Sequence, residues 1–182
     1  LNWKNPENSM YFGDGAGAAV VSASQDDSGI LSTHLHSEGK HCRELWVEAP
    51  SSGANPRLNQ EILNDGRHFL QMNGREVFRH AVTRFPEVIM EGLDANGLTS
   101  KDIDLLVPHQ ANVRIAQMIQ KRLKLEDDQV YLNIHKYGNT TAASIPIALS
   151  EAMNEGRVNK GDIVVFAAFG SGFTWASAIV KW

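Results

Sequence analysis

The 182-residue sequence has one cysteine, Cys42, so it cannot form an internal disulfide, and a reducing, cytoplasmic setting is expected. It has no apolar run approaching the roughly 20 residues of a membrane-spanning helix, so no membrane role is expected. It has no excess of basic charge. Seventeen Lys and Arg face 21 Asp and Glu, giving a net charge of -4, and the electrostatic footprint of a nucleic-acid binder is missing. Leu1-Asn2-Trp3-Lys4 lacks the apolar core of a signal peptide. The first residue is leucine, so the expectation is a chain that is processed or cut from something longer.

What is present is ordinary globular composition, 42% hydrophobic and 21% charged, with enough length for one domain with a real core. The most informative stretch is Leu105-Leu106-Val107-Pro108-His109-Gln110-Ala111-Asn112. An apolar run ends at a proline, which cannot donate to a sheet ladder, and a histidine and two amides follow. Polar groups at the carboxyl end of a buried strand point into the crevice where open α/β sheets bind ligands. Tyr137 to Ser144 and Phe169 to Trp175 are two further polar or small-residue elements.

The remaining pattern alternates strands and helices, which argues for an α/β layer architecture. Strands are expected at Ala18–Val21, Ile30–Glu38, Leu105–Val107, Gln129–Ile134, Ile163–Ala168 and Thr174–Val180. The fifth is apolar on both faces and therefore central. Helices are expected over Arg75–Ala95, with Pro86 kinking or splitting it, over Val113–Leu123 capped by Asn112, and over Thr140–Asn154. Thr99 to Asp102 reads as a capping box. Glu48 to Asp65 reads as a long loop.

Several local signals have a bland reading beside a sharp one. Gly13, Gly15 and Ala18 fit a dinucleotide fingerprint, but the next residues are β-like rather than helical, so close approach of backbone is the better reading. His34, His36, His41 and Cys42 suggest metal ligands, yet no second pair stands at zinc-like spacing, and no metal is expected. Cys42 lies in a polar turn and reads as incidental, because a catalytic thiol is held at a rigid site beside a base.

Six motifs in order resemble the C-terminal portion of a β-ketoacyl-[acyl carrier protein] synthase III, in the thiolase-like condensing-enzyme superfamily. They are Phe12 to Ala18, Leu35 to Gly39, Met72 to Phe78, Val107 to Asn112, Gly138 to Pro146, and Ala168 to Trp175. The resemblance implies a thiolase-like layered α-β-α fold. Residues 1–49 would give the last two strands of a first half, 50–73 a loop, and 74–182 the second half. The family's nucleophilic cysteine has no counterpart here.

The resemblance also implies chemistry. A histidine N–H and a carboxamide N–H₂ converging on one oxygen stabilise an enolate. His109 and Asn139 match the family pair that supports decarboxylation of a malonyl thioester. Ser171 matches a position whose backbone N–H holds the acyl-thioester oxygen, and Phe169 one near the nucleophilic sulfur. Gly74, Arg75, Phe78, Ala111 and Asn112 match positions lining the tunnel for the pantetheine arm of coenzyme A. Arg79, Arg114, Lys121 and Arg122 would dock the acidic acyl carrier protein. The substrates implied are acyl-CoA and malonyl-carrier protein, with no other cofactor, in a homodimer; by itself this chain is expected to be inactive.

On residue type alone, His109 could be a structural histidine, Asn139 a helix cap, Phe169 core, and the four cations a solvated face. Two other roles stay open: a noncatalytic partner subunit of a heterodimer, and a related synthase of specialised metabolism.

Overall fold

A computed structural model describes residues 1–182, the side chains of Glu7 and Asn8 aside. In chain order, the elements are α1 (Pro6–Ser9), β1 (Gly29–Ser37), β2 (Leu45–Trp46), α2 (Gln60–Asp65), β3 (Gln71–Met72), α3 (Gly74–Ala95), β4 (Leu105–Pro108), α4 (Val113–Leu123), α5 (Ile134–Tyr137), α6 (Ser144–Asn154), β5 (Ile163–Gly170) and β6 (Thr174–Lys181). Four strands form one sheet in the order β1-β6-β5-β4. β4 runs parallel to β5, while β6 is antiparallel to both β5 and β1. β2 and β3 form a separate two-stranded ribbon.

Burial explains the central place of β5. Val164, Val165 and Ala167 are all buried, because helices cover both faces of the sheet. On one face the apolar stripe of α3 (Ala81, Phe85, Ile89, Leu93) packs with Ile115 and Ile119 of α4 over Leu106, Val165, Phe169 and Ile179. On the other, Ala148 and Ala152 of α6 pack with Leu105, Val107 and Val164. Each large side chain in these clusters is worth about 1.5–3 kcal/mol of burial. The helix caps follow the sequence. Asn112 accepts the backbone N–H of Arg114 at 2.8 Å, and Thr99 with Asp102 forms a reciprocal capping box on a single 3₁₀ turn.

Four expectations need correction. Pro86 neither splits nor ends α3, which is one helix of 22 residues. Proline removes the N–H that would bond the carbonyl four residues earlier, that of Val82. The guanidinium of Arg122 on the neighbouring α4 donates to that carbonyl at 3.3 Å instead. Ala18–Val21 is not a strand, since no ladder partner lies beside it and Val20 is 98% exposed. Gln129–Ile134 reduces to one bridge between Leu106 and Val130. The long loop contains α2, capped by Asn59 through the N–H of Ile62. The strand expected over Ile30–Glu38 forms as Gly29–Ser37, at the edge of the sheet built by β4–β6.

Candidate active site

The site opens at the carboxyl end of β4 and β5. A cavity of ≈ 1120 Å³ lies there, lined among others by Phe12 to Gly15, Phe78, Phe85, His109, Asn139 to Ala142, and Phe169 to Ser171. Its wall is mostly apolar, with a few polar groups facing inward, the usual character of a small-molecule site.

His109 is placed by the sheet. Its backbone N–H donates to Ala167 at 2.8 Å, continuing the β4–β5 ladder one step past Pro108. Its Nδ1 lies 2.6 Å from Oγ of Ser144, the first residue of α6. Burial disfavours the charged ring and pushes its pKa down to about 4, so His109 is a neutral imidazole near pH 7. The neighbouring Gln110 is 2% exposed and uses its whole hydrogen-bonding capacity. Its Nε2 donates to the carbonyls of Pro108 (2.8 Å) and Tyr131 (3.2 Å). Its Oε1 accepts from the backbone of Asn133 (3.0 Å) and Ile134 (3.2 Å). This carboxamide ties down the segment that the alternation pattern reads as a strand. Sequence reasoning missed its structural role, although the amide directly after a buried strand was visible.

Asn139 is placed by a different device. Its backbone pairs with the N-terminal segment: its N–H donates to Tyr11 at 2.8 Å, and its carbonyl accepts from Gly13 at 3.0 Å. The approach is close enough that a Cβ on Gly13 would sit 2.0 Å from the carbonyl oxygen of Tyr137, so only glycine fits. Oδ1 of Asn139 accepts the N–H of Thr141 at 2.9 Å. That leaves the carboxamide N–H₂ as the group offered to the cavity. Thr141 itself has φ +52°, a left-handed conformation rare for a β-branched residue and typical of functional sites.

The β5–β6 turn supplies the third wall. Phe169 is buried in an aromatic cluster, its ring centroid 4.9 Å from that of Phe173 and 6.5 Å from that of Trp175. Ser171 is exposed at the turn and lines the cavity, with its hydroxyl donating to the carbonyl of Leu45 at 2.5 Å. Gly172 has φ +139°, and a Cβ there would clash with Thr174 at 2.7 Å.

Other candidates divide cleanly. Gly74, Phe78, Ala111 and Asn112 line the cavity; Arg75 is exposed and does not. Arg79, Arg114, Lys121 and Arg122 are all exposed, on α3 and α4. Arg79 is paired with Glu76, and Arg122 serves the Val82 carbonyl. Among the described residues no ion pair engages Arg114 or Lys121. Cys42 is exposed in a turn and absent from the cavity wall. His34 and His36 both bond Glu91, at 3.2 and 2.6 Å. Glu38, His41 and His80 bring ligand atoms within 4.8 Å of one another, but the carboxylate is already held by Lys40 and Arg84.

Comparison with known proteins bears on the family. Residues 93–182 match the model of the 3-oxoacyl-[acyl-carrier-protein] synthase III C terminal, and residues 1–39 match that of 3-oxoacyl-[acyl-carrier-protein] synthase III. The chain belongs to the β-ketoacyl-[acyl carrier protein] synthase III family. It is 46% identical over 182 residues to the synthase III of Caldanaerobacter subterraneus, and 47% identical over 186 residues to that of Rhodospirillum centenum. Both alignments take in 100% of this chain and 54% of the relative, so the chain spans about half the length of the curated synthases it matches. Two solved synthase III structures share the fold across the whole chain at 39% identity. For the Thermus thermophilus protein the TM-score is 0.90 with 55% of that chain covered; for the Aquifex aeolicus protein it is 0.88 with 53%. The thiolase-like α/β fold of the family is thus the fold of this chain.

Proposed function

We propose that this chain supplies the decarboxylation half of a β-ketoacyl-[acyl carrier protein] synthase III site, in the reaction that starts fatty acid synthesis. The observation carrying the proposal is that His109 and Asn139, brought from separate elements, line one cavity as nitrogen donors. His109 is neutral, and Asn139 has its oxygen already occupied.

The chemistry follows from those donors. The C–C bond of a malonyl thioester breaks, CO₂ departs, and the electron pair is left as an enolate on the thioester oxygen. Donors aimed at that oxygen stabilise the charge as it develops, each by about 3–4 kcal/mol. The enolate carbon then attacks an acyl-cysteine thioester, forming the new C–C bond and expelling the cysteine thiolate. That cysteine is not Cys42, which is exposed in a turn away from the cavity. Phe169 shields the reacting sulfur from water, and the Ser171 N–H donates to the acyl oxygen. Gly74, Phe78, Ala111 and Asn112 form the pantetheine passage, with Arg75 at most at its rim. Carrier-protein docking rests chiefly on Arg114 and Lys121, the two cations of the four whose side chains have no partner among the described residues. The acyl donor is a coenzyme A thioester of acetyl type, no other cofactor takes part, and the working enzyme is a cytoplasmic homodimer.

The synthase III name of the curated relatives favours this reading over a noncatalytic subunit or a synthase of specialised metabolism. The test uses the enzyme containing this chain, with malonyl-carrier protein as substrate. His109→Ala or Asn139→Ala should slow decarboxylation by about 10²–10³-fold, while transfer of the acyl group onto the cysteine is largely retained. Equal loss of both steps overturns the assignment.

A further inference from the structure

Ser144 is 2% exposed at the start of α6, where it caps nothing with its own side chain. Its Oγ receives the backbone N–H of Gln110 at 3.3 Å and faces Nδ1 of His109 at 2.6 Å. A hydroxyl carries one proton and two lone pairs. The Gln110 N–H takes one lone pair. Among the described residues, the sole acceptor within reach of the hydroxyl proton is Nδ1 of His109. In the opposite arrangement Nδ1–H would donate to Oγ. The serine proton would then be left unpaired in a buried place, which carries the full desolvation penalty of the group.

We infer that Ser144 donates its hydroxyl proton to Nδ1 of His109 and thereby fixes the neutral imidazole as the tautomer with its proton on Nε2, the nitrogen left for the cavity. The consequence for catalysis rests on the decarboxylation reading above. An enolate oxygen needs a donor, and a neutral imidazole has only one N–H. With the proton on Nδ1, the ring would offer the oxygen a lone pair and repel it. Ser144 is a positioning residue, since it acts through His109 and does not itself line the cavity.

The tautomer is read directly by ¹⁵N NMR of histidine-labelled protein at neutral pH, well above the point at which His109 protonates. The signal that vanishes in His109→Gln identifies the ring. In the wild type Nε2 should carry the proton and Nδ1 should show the shift of a bare acceptor nitrogen. Ser144→Ala should weaken that preference by roughly fivefold or more, the scale of one net hydrogen bond. Ser144→Thr keeps the hydroxyl and should retain the wild-type pattern. A wild-type spectrum with the proton on Nδ1, or an unchanged tautomer in a folded Ser144→Ala protein, overturns the inference. Should the alanine variant fail to fold, the wild-type spectrum still decides. The readout involves no substrate. Failure of the decarboxylation reading shows instead as retained decarboxylation in His109→Ala, so the two failures are told apart.

Discussion

The two proposed donors, His109 and Asn139, are held in opposite ways. His109 continues a buried parallel ladder, with Gln110 saturated on one side and Ser144 on the other. Asn139 sits in a turn pinned by backbone bonds to Tyr11 and Gly13, a segment with no ladder of its own, and its neighbour Thr141 holds a left-handed φ. The histidine arm is fixed by the core, whereas the asparagine arm depends on an exposed strip of chain whose small residues permit close approach. Core-built positions open only with global unfolding, and edge-built ones open at lower cost. One arm is therefore the rigid side of the cavity, and the other the side that opens at lower cost.

The sharpest way to break the histidine arm is at Gln110. Gln110→Ala removes four bonds at once and leaves backbone groups of Pro108, Tyr131, Asn133 and Ile134 short of partners. Unpaired buried groups cost about 1–3 kcal/mol each, partly relieved by water. We expect a loss of about 3–4 kcal/mol, measured by denaturant unfolding. A loss below about 1 kcal/mol would mean that the arm is not core-built.

Acid probes the same arm. The folded pKa of His109 is about 4 against an ordinary value of 6.5, so between those values the unfolded chain binds more protons. Its contribution is fully present above pH 6.5 and is lost as pH falls toward 4. The expected loss is about 2–3 kcal/mol over that window. It is read as the difference in unfolding midpoint between wild type and His109→Gln, which cancels the other histidines. Parallel pH profiles for the two proteins would count against a buried neutral imidazole.

On the asparagine arm the sign reverses. Thr141→Asn places a residue tolerant of positive φ at +52°. Relief of backbone strain should raise stability by about 1 kcal/mol, visible in the melting temperature. A destabilised variant would show that the threonine side chain contributes more than its backbone costs.

Legibility in the sequence follows the same division. The strand at Leu105, the cap at Asn112 and the buried run at Ile163 were readable because apolar periodicity and capping chemistry are local. His109 and Asn139 stand at breaks in those patterns, but pairing them rests on the family resemblance. What escaped depended on partners far along the chain. Ala18–Val21 has strand-like residues but no neighbour to pair with. Gln129–Ile134 lost its ladder to the side chain of Gln110. Gly29–Ser37 joined β6 across almost the whole chain, an assignment no local pattern contains. Ser144 falls within the Gly138 to Pro146 motif, but no local pattern gives its side chain a role, because its partner is a histidine 35 positions earlier.

Pro86 offers the smallest expected effect, in the layer that supports the histidine arm from below. Periodicity predicted the helix, and proline chemistry predicted a kink or a split; the helix runs on unsplit. The Arg122 guanidinium takes over the Val82 carbonyl that Pro86 leaves without a donor, joining α3 to α4 at the protein surface. A bond with exposed access to water is worth little, so Arg122→Ala should cost only about 0.5–1 kcal/mol. In a Pro86→Ala background the backbone N–H of residue 86 can bond Val82 itself, and the same substitution should then cost close to nothing. Thermal unfolding of the four proteins in this cycle measures the coupling. Equal costs in both backgrounds would mean that the arginine contributes by packing along α3 rather than by replacing the bond that proline removed.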